Sequence, residues 1–188
     1  MNPSPEKGLR LFSVIQKTLA RLRPDIPILI VLGRASLSTV CNELVKFTNQ
    51  EIQILKESKL PKSYYSQTRL LLFPSLVPET FGRVAVEAGF NHIPTLCTNR
   101  GALPETIGSG GILFEVSEEV DWHNHGVWNE SDVMPWVETI VKLWDSPETL
   151  TKLGNLAYNN ALQYSYARTS QKVVSYLSRL MKNAVNGY

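Results

Sequence analysis

The chain has 188 residues, enough to bury a sizeable core as one ordinary domain without a disulfide or metal staple. Its 19 Lys and Arg against 17 Asp and Glu leave a net charge of +2, too even a balance to imply nucleic acid or an anionic membrane as the main partner. With 43% hydrophobic and 19% charged residues, global disorder is excluded. The longest apolar runs, such as Ile26 to Leu32, are too short to span a bilayer, and the amino terminus lacks a basic segment followed by a signal core. A cytoplasmic protein with no transmembrane segment is expected. Cys41 and Cys97 have no CxxC spacing, and Cys97 lies in an apolar run, so both read as reduced structural thiols.

From Ser4 to Leu22 the apolar residues Leu9, Phe12, Ile15, Leu19 and Leu22 recur at helical spacing, with Ser4 as N-cap and Pro5 as the first helical residue. Arg23-Pro24-Asp25 breaks that helix. Ile26 to Leu32 then reads as a strand of the kind buried on both faces of a parallel sheet, ended by Gly33. Similar apolar runs follow at Ile52 to Leu55, Leu70 to Phe73, Ile93 to Cys97 and Gly111 to Val116. Their alternation with helical stretches makes the chain α/β. Beyond Val116 the pattern changes to three successive helices, Val133 to Trp144, Pro147 to Gln163 and Ala167 to Met181, with Pro135 and Pro147 near starts. Trp122, Trp128, Trp136 and Trp144 fall in this half. The two-turn spacing of Trp136 and Trp144 favours helix-to-sheet packing over an aromatic cage.

The stretch with most chemistry in it runs from Pro74 to Phe90, after a strand and into a helix. Ligands of open α/β sheets sit beyond the carboxyl ends of the strands, where a helix start aims unpaired N–H groups at an anion. Gly82 permits close approach there. Glu79 would project from the loop and Glu87 from the helix, tilted toward its amino-terminal end. Two such carboxylates can flank one ligand and accept paired hydrogen bonds from vicinal hydroxyls of a sugar and a ribose. A second reading stands beside this one: Glu79 caps the helix and Glu87 makes a surface i,i+4 pair with Arg83, worth about 0.2–0.5 kcal/mol. Against a wholly solvated Glu87 stand its apolar neighbours Val84, Ala85, Val86 and Ala88. Asp121, His123 and His125 form an Asp-x-His-x-His run whose side chains would converge only in an extended segment. Exposed loop histidines, rather than a metal site, are expected there. His92, after the motif helix, reads as a turn residue.

Glu79 and Glu87 match the Glu-x7-Glu motif of retaining glycosyltransferases of family 4, the group 1 enzymes. The downstream Asn91 to Gly108 and Gly110 to Phe114 also resemble the segments that follow the motif in that family. Upstream, Asn2-Pro-Ser-Pro-Glu-Lys7-Gly8 is similar to its Lys-Gly helix start. The resemblance implies a GT-B enzyme of which this chain is the carboxyl-terminal, donor-binding half. It would be a single Rossmann-like nucleotide-sugar-binding domain over residues 1–188, with a parallel sheet and flanking helices to about residue 120 and a helical tail from about 131 to 185. By position, it implies that Lys7 contacts the donor diphosphate, Glu79 the donor-sugar hydroxyls and Glu87 the nucleotide ribose. Backbone groups of Phe81, Gly82 and Arg83 would face sugar and phosphate. For the Arg83 side chain a diphosphate contact and a pair with Glu87 both stand. The implied reaction is retaining transfer of a sugar from a nucleoside diphosphate sugar to an unidentified acceptor, without a metal. A non-catalytic nucleotide-sugar-binding module and a nucleotide-sugar epimerase are the alternatives.

The family's carboxyl-terminal domain begins with a strand ahead of the Lys-Gly helix, and here the sequence starts at the helix. In a doubly wound sheet that strand is central. Its loss would expose the edges of two neighbours, and buried unpaired backbone groups cost about 1–3 kcal/mol each, against a domain stability of about 5–15 kcal/mol. An amino-terminal acceptor-binding domain or a partner chain is therefore expected.

Overall fold

Leu9, Leu11, Ile15 and Leu19 are all buried on one side of helix α1 (Leu9–Leu22), the apolar stripe that their spacing demands. The computed structural model describes residues 3–33, 36–44, 49–56, 61–121 and 123–185; Asn2 and Trp122 lie outside them. The helix does not run from Pro5 as the sequence suggests. Pro5–Lys7 form a separate 3-10 turn, and Gly8, at φ +80°, redirects the chain into α1. The reason is tertiary. The Glu6 carbonyl accepts from the Leu76 N–H at 3.1 Å, and a Cβ on Gly8 would stand 1.8 Å from the Pro74 carbonyl oxygen. Only glycine combines the left-handed conformation with that approach of two backbones.

Strands β1 (Ile28–Val31), β2 (Ile52–Leu55), β3 (Leu71–Phe73), β4 (Thr95–Thr98) and β5 (Gly111–Phe114) fall on the five apolar runs. β1 starts later than Ile26 because Pro27 has no N–H for a ladder. Ile26 instead turns back onto the Arg23 carbonyl, and its own carbonyl accepts from the Gln50 side chain at 2.9 Å. Every pairing is parallel, yet the strands form two sheets, β1 with β2 and β3-β4-β5 in that order. Among the described residues β1 and β3 are therefore both edge strands. Helix α1 spans the division: Leu11, Ile15 and Leu19 pack in one core with Leu96, Leu72 and Ile112, while Phe12 packs against the separate cluster of Ile28, Ile30, Leu32, Val40 and Leu44.

Helices α2 (Leu37–Glu43), α3 (Lys62–Tyr65), α4 (Arg83–Phe90) and α5 (Leu103–Ile107) lie between strands, and α6 (Glu130–Asp145), α7 (Pro147–Ala161) and α8 (Tyr166–Val185) follow β5. α6 begins ahead of Val133 because Asn129 and Asp132 form a capping box, each side chain satisfying the other's backbone N–H. Pro135 consequently sits inside the helix. Trp136 is buried and stacks on Phe114 of β5 with centroids 4.0 Å apart, and Trp144 carries the Arg69 guanidinium 4.4 Å from its ring centre. α8 differs from the other long helices, since Val173, Val174, Leu177, Leu180 and Met181 are exposed along it. Among the described residues no helix is long and apolar enough to cross a membrane.

Two outcomes are expected of this packing. Gly8→Ala should lower the unfolding free energy, read from urea denaturation, by more than the left-handed penalty of about 1–2 kcal/mol, because the Pro74 strand end must also move; an unchanged free energy would mean that the contact carries no strain. Cys97 is fully buried and free, and burial pushes its thiol up to about 12. A thiol reagent at mildly alkaline pH should therefore leave Cys97 unlabelled until the chain is unfolded, as peptide mapping would read.

Candidate functional site

The loop leaving the carboxyl end of β3 receives the amino-terminal turn. Because Gly8 lies on Pro74 and Glu6 bonds Leu76, Lys7 is brought across 72 positions of sequence to Glu79, with Nζ 2.6 Å from Oε1. Ser75, fully buried, donates its hydroxyl to the same oxygen at 2.6 Å. The Ser75 carbonyl in turn accepts from the buried Thr98 hydroxyl on β4. From behind, the Glu79 carbonyl accepts from the Ala102 N–H at 2.7 Å. The Glu79 side chain is only 14% exposed and that of Lys7 27%, so the pair is less screened than one on an open surface. Gly82, not Glu79, is the N-cap of α4, and among the described residues no side-chain cap hydrogen bond is made there.

Gly82 is the N-cap of α4 at φ +77°, and a Cβ there would meet the Leu103 side chain at 2.6 Å. Its close approach is to α5 within the protein. The uncapped first turn of α4 leaves backbone N–H groups without side-chain partners, which suits an anion. The Phe81 ring packs edge-on against Tyr164 with centroids 5.1 Å apart. Arg83 is 84% exposed and its Nε lies 3.3 Å from Glu87 Oε1, the i,i+4 pair foreseen from the spacing.

Glu87 has a second partner that no spacing announced. The hydroxyl of Tyr65, at the end of α3, donates to Glu87 Oε2 at 3.0 Å. Burial, with the Glu87 charge as a lesser cause, pushes that phenol above its ordinary range, so it remains a hydrogen-bond donor at all ordinary pH. Among the described residues no hydrogen bond or ion pair joins the Lys7–Glu79 group to the Glu87 group; the turn at Phe81–Gly82 and the first turns of α4 connect them. Ser75 and Tyr65 are the residues that the sequence reading missed. Ser75 sits beside Pro74 at the strand end, four residues from Glu79, whereas Tyr65 is separated from Glu87 by the whole of β3.

The remaining polar signals are accounted for locally. His92, at φ +57° after α4, stacks on Tyr158 of α7 at 4.2 Å with Nδ1 3.1 Å from Asn155 Oδ1. The Asp121 run is a tight turn: the Asp121 carboxylate accepts from the backbone N–H groups of Asn124 and His123, which hold it below its ordinary range. Among the described residues no group of three or more His, Cys, Asp or Glu side chains is gathered as for a metal.

Comparison with known proteins gives the family and the fold. The family model of glycosyl transferases group 1 matches residues 3–159. A D-inositol 3-phosphate glycosyltransferase of Paenarthrobacter aurescens is 28% identical over 173 residues, which are 87% of this chain and 39% of the relative. Among solved structures, the GtfA/B complex superposes with a TM-score of 0.75 at 19% identity over 94% of this chain and 34% of its own. HepE of Anabaena, crystallised with UDP-glucose, gives 0.69 at 20% identity over 95% and 47%. The isolated C-terminal domain of the group 1 protein LpcC of Francisella tularensis gives 0.62 at 18% identity, over 87% of this chain and 82% of that domain. These likenesses establish the GT-B carboxyl-terminal fold, and the chain spans well under half the length of the curated relative. With the family match covering most of the sequence, the chain belongs to the group 1 glycosyl transferases.

Proposed function

We propose that this chain is the donor-binding half of a retaining glycosyltransferase that takes a sugar from a nucleoside diphosphate sugar. The observation that carries the reading is the Lys7–Glu79 pair at the carboxyl end of β3 beside the uncapped start of α4. Supporting it, the Anabaena neighbour was crystallised with UDP-glucose. In this reading Glu79 accepts hydroxyls of the donor sugar, through the carboxylate edge that Lys7 and Ser75 leave open. Glu87 accepts the ribose hydroxyls, and backbone N–H groups at Phe81, Gly82 and Arg83 face the diphosphate. As the bond from the anomeric carbon to the diphosphate breaks, negative charge grows on the departing oxygen. One preorganised donor contributes about 2.7–4 kcal/mol to such a step. A helix terminus supplies about 0.3–1 kcal/mol when exposed and about 2 when partly buried. Lys7 is therefore the main stabiliser and the reading calls on no metal ion.

The acceptor-binding half belongs to another part of the protein or to a partner. Two observations support this: among the described residues the strands form two separate sheets, and α8 presents an apolar face that the described residues leave exposed. An extended segment lying between the two sheets would complete one parallel sheet, and burial of the α8 face would add about 25 cal/mol per Å² of apolar surface removed from water.

Titration with UDP, GDP, ADP and their sugars, read by thermal shift, is expected to identify a nucleotide that Glu87→Ala weakens. Lys7→Ala should weaken the diphosphate about tenfold or more and leave the corresponding nucleoside unaffected; equal loss for both would remove Lys7 from the phosphate. A version of the protein carrying the upstream half should be more stable and should turn over donor. Independent turnover and equal stability of the present chain would defeat the dependence on a second half. Donor binding without transfer after that half is supplied would favour a non-catalytic module, and an isomerised donor an epimerase.

A further inference from the structure

Glu87 is held from two sides by very different groups. Arg83 is 84% exposed and shares its helix, and such an i,i+4 pair contributes only about 0.2–0.5 kcal/mol. A long, solvated guanidinium does not fix the direction of a carboxylate. Tyr65 comes from another helix, is 7% exposed, and packs in a small core with Ala88 and Ile93, flanked by Leu71 and Tyr64. The Tyr64 ring lies 4.8 Å from that of Tyr65, tilted by 58°. The ring therefore has little freedom, and its hydroxyl, which donates to Glu87 Oε2 at 3.0 Å, is a rigid point on which the flexible glutamate is pinned. The Glu87 side chain is 39% exposed, so beside Arg83 on Oε1 and Tyr65 on Oε2 each oxygen keeps a lone pair that a ligand can reach. A carboxylate whose orientation is set in advance loses less rotamer entropy when it accepts a vicinal diol.

We infer that Tyr65 is a positioning residue for the ribose end of the site, orienting the Glu87 carboxylate so that it selects nucleotides with an intact ribose diol. The inference rests on the proposed assignment of Glu87 to the ribose. It assigns Tyr65 no contact with the nucleotide: the phenol acts through Glu87. The packing of the ring on Ala88 and Ile93 is kept in Tyr65→Phe, which removes only the hydroxyl.

The test uses the whole chain and measures, by calorimetric titration, the affinity ratio between a ribonucleoside diphosphate and its 2′,3′-dideoxy counterpart. The probe is whichever of UDP, GDP and ADP binds the unmodified protein most tightly. Because the ratio is internal to each protein, it does not depend on the active fraction. The unmodified chain should prefer the ribose form, Glu87→Gln should lose most of that preference, and Tyr65→Phe should reduce it about fivefold while changing affinity for the dideoxy form little. If Glu87→Gln abolishes the preference and Tyr65→Phe keeps it, the positioning role of Tyr65 fails alone. Equal weakening of both nucleotides by Tyr65→Phe would also overturn it, as a general packing effect. If the unmodified chain and Glu87→Gln fail to discriminate, or none of the three nucleotides binds, the ribose assignment fails and takes this inference with it. Tyr65→Met, read in the same way, replaces the Phe variant should that one not fold.

Discussion

The contact on which the site depends is one of backbone on backbone, where Gly8 lies against the Pro74 carbonyl with no room for a side chain. It breaks what the apolar pattern presents as one helix and turns the first residues onto the end of β3. There the Glu6 carbonyl takes the Leu76 N–H, and Lys7 faces Glu79. Lys7, its side chain 27% exposed, thereby becomes a fixed cation. The left-handed glycine is a structural requirement for that placement, because any other residue meets both a torsional penalty and the Pro74 oxygen.

The two acidic residues of the motif are secured differently, and the difference follows their surroundings. Glu79 is mostly buried and has two donors on one oxygen, Lys7 and Ser75, with Thr98 supporting Ser75 from the neighbouring strand. Glu87 is half open and relies on the phenol of Tyr65 for its direction, with Arg83 adding little. In each case a buried hydroxyl from outside the motif restricts a carboxylate that would otherwise sample several rotamers. Charge-assisted hydrogen bonds of this type are stronger than neutral ones, which helps to keep the site formed without a ligand.

The sheet carries a tension that the helices only partly relieve. Parallel strands are normally buried on both faces and continuous across the domain, yet here β1 and β3 each end a separate sheet. Helix α1 binds the two together by sharing its residues between their cores. Packing along one side of such a division does not supply hydrogen-bond partners for strand edges. α6 and α7 meanwhile close the core with Trp136 on Phe114 and the glycine-lined approach of α7 to α4, while α8 continues beyond that core.

What could be read from the amino-acid order was whatever depends on local spacing. The five strands, the late run of helices, the Lys7, Glu79 and Glu87 candidates and the Arg83–Glu87 pair all follow from periodicity, turn residues or motif resemblance, because each is written within a few neighbouring positions. The start of β1 after Pro27 and the capping box that begins α6 are also local, but the apolar pattern points past them. The break at Gly8, the Lys7–Glu79 pair as a contact, the Ser75 and Tyr65 hydroxyls and the division of the sheet were decided only in three dimensions. They depend on which distant backbones meet and on which strand edges find partners, and a linear pattern of polar and apolar residues does not record those meetings.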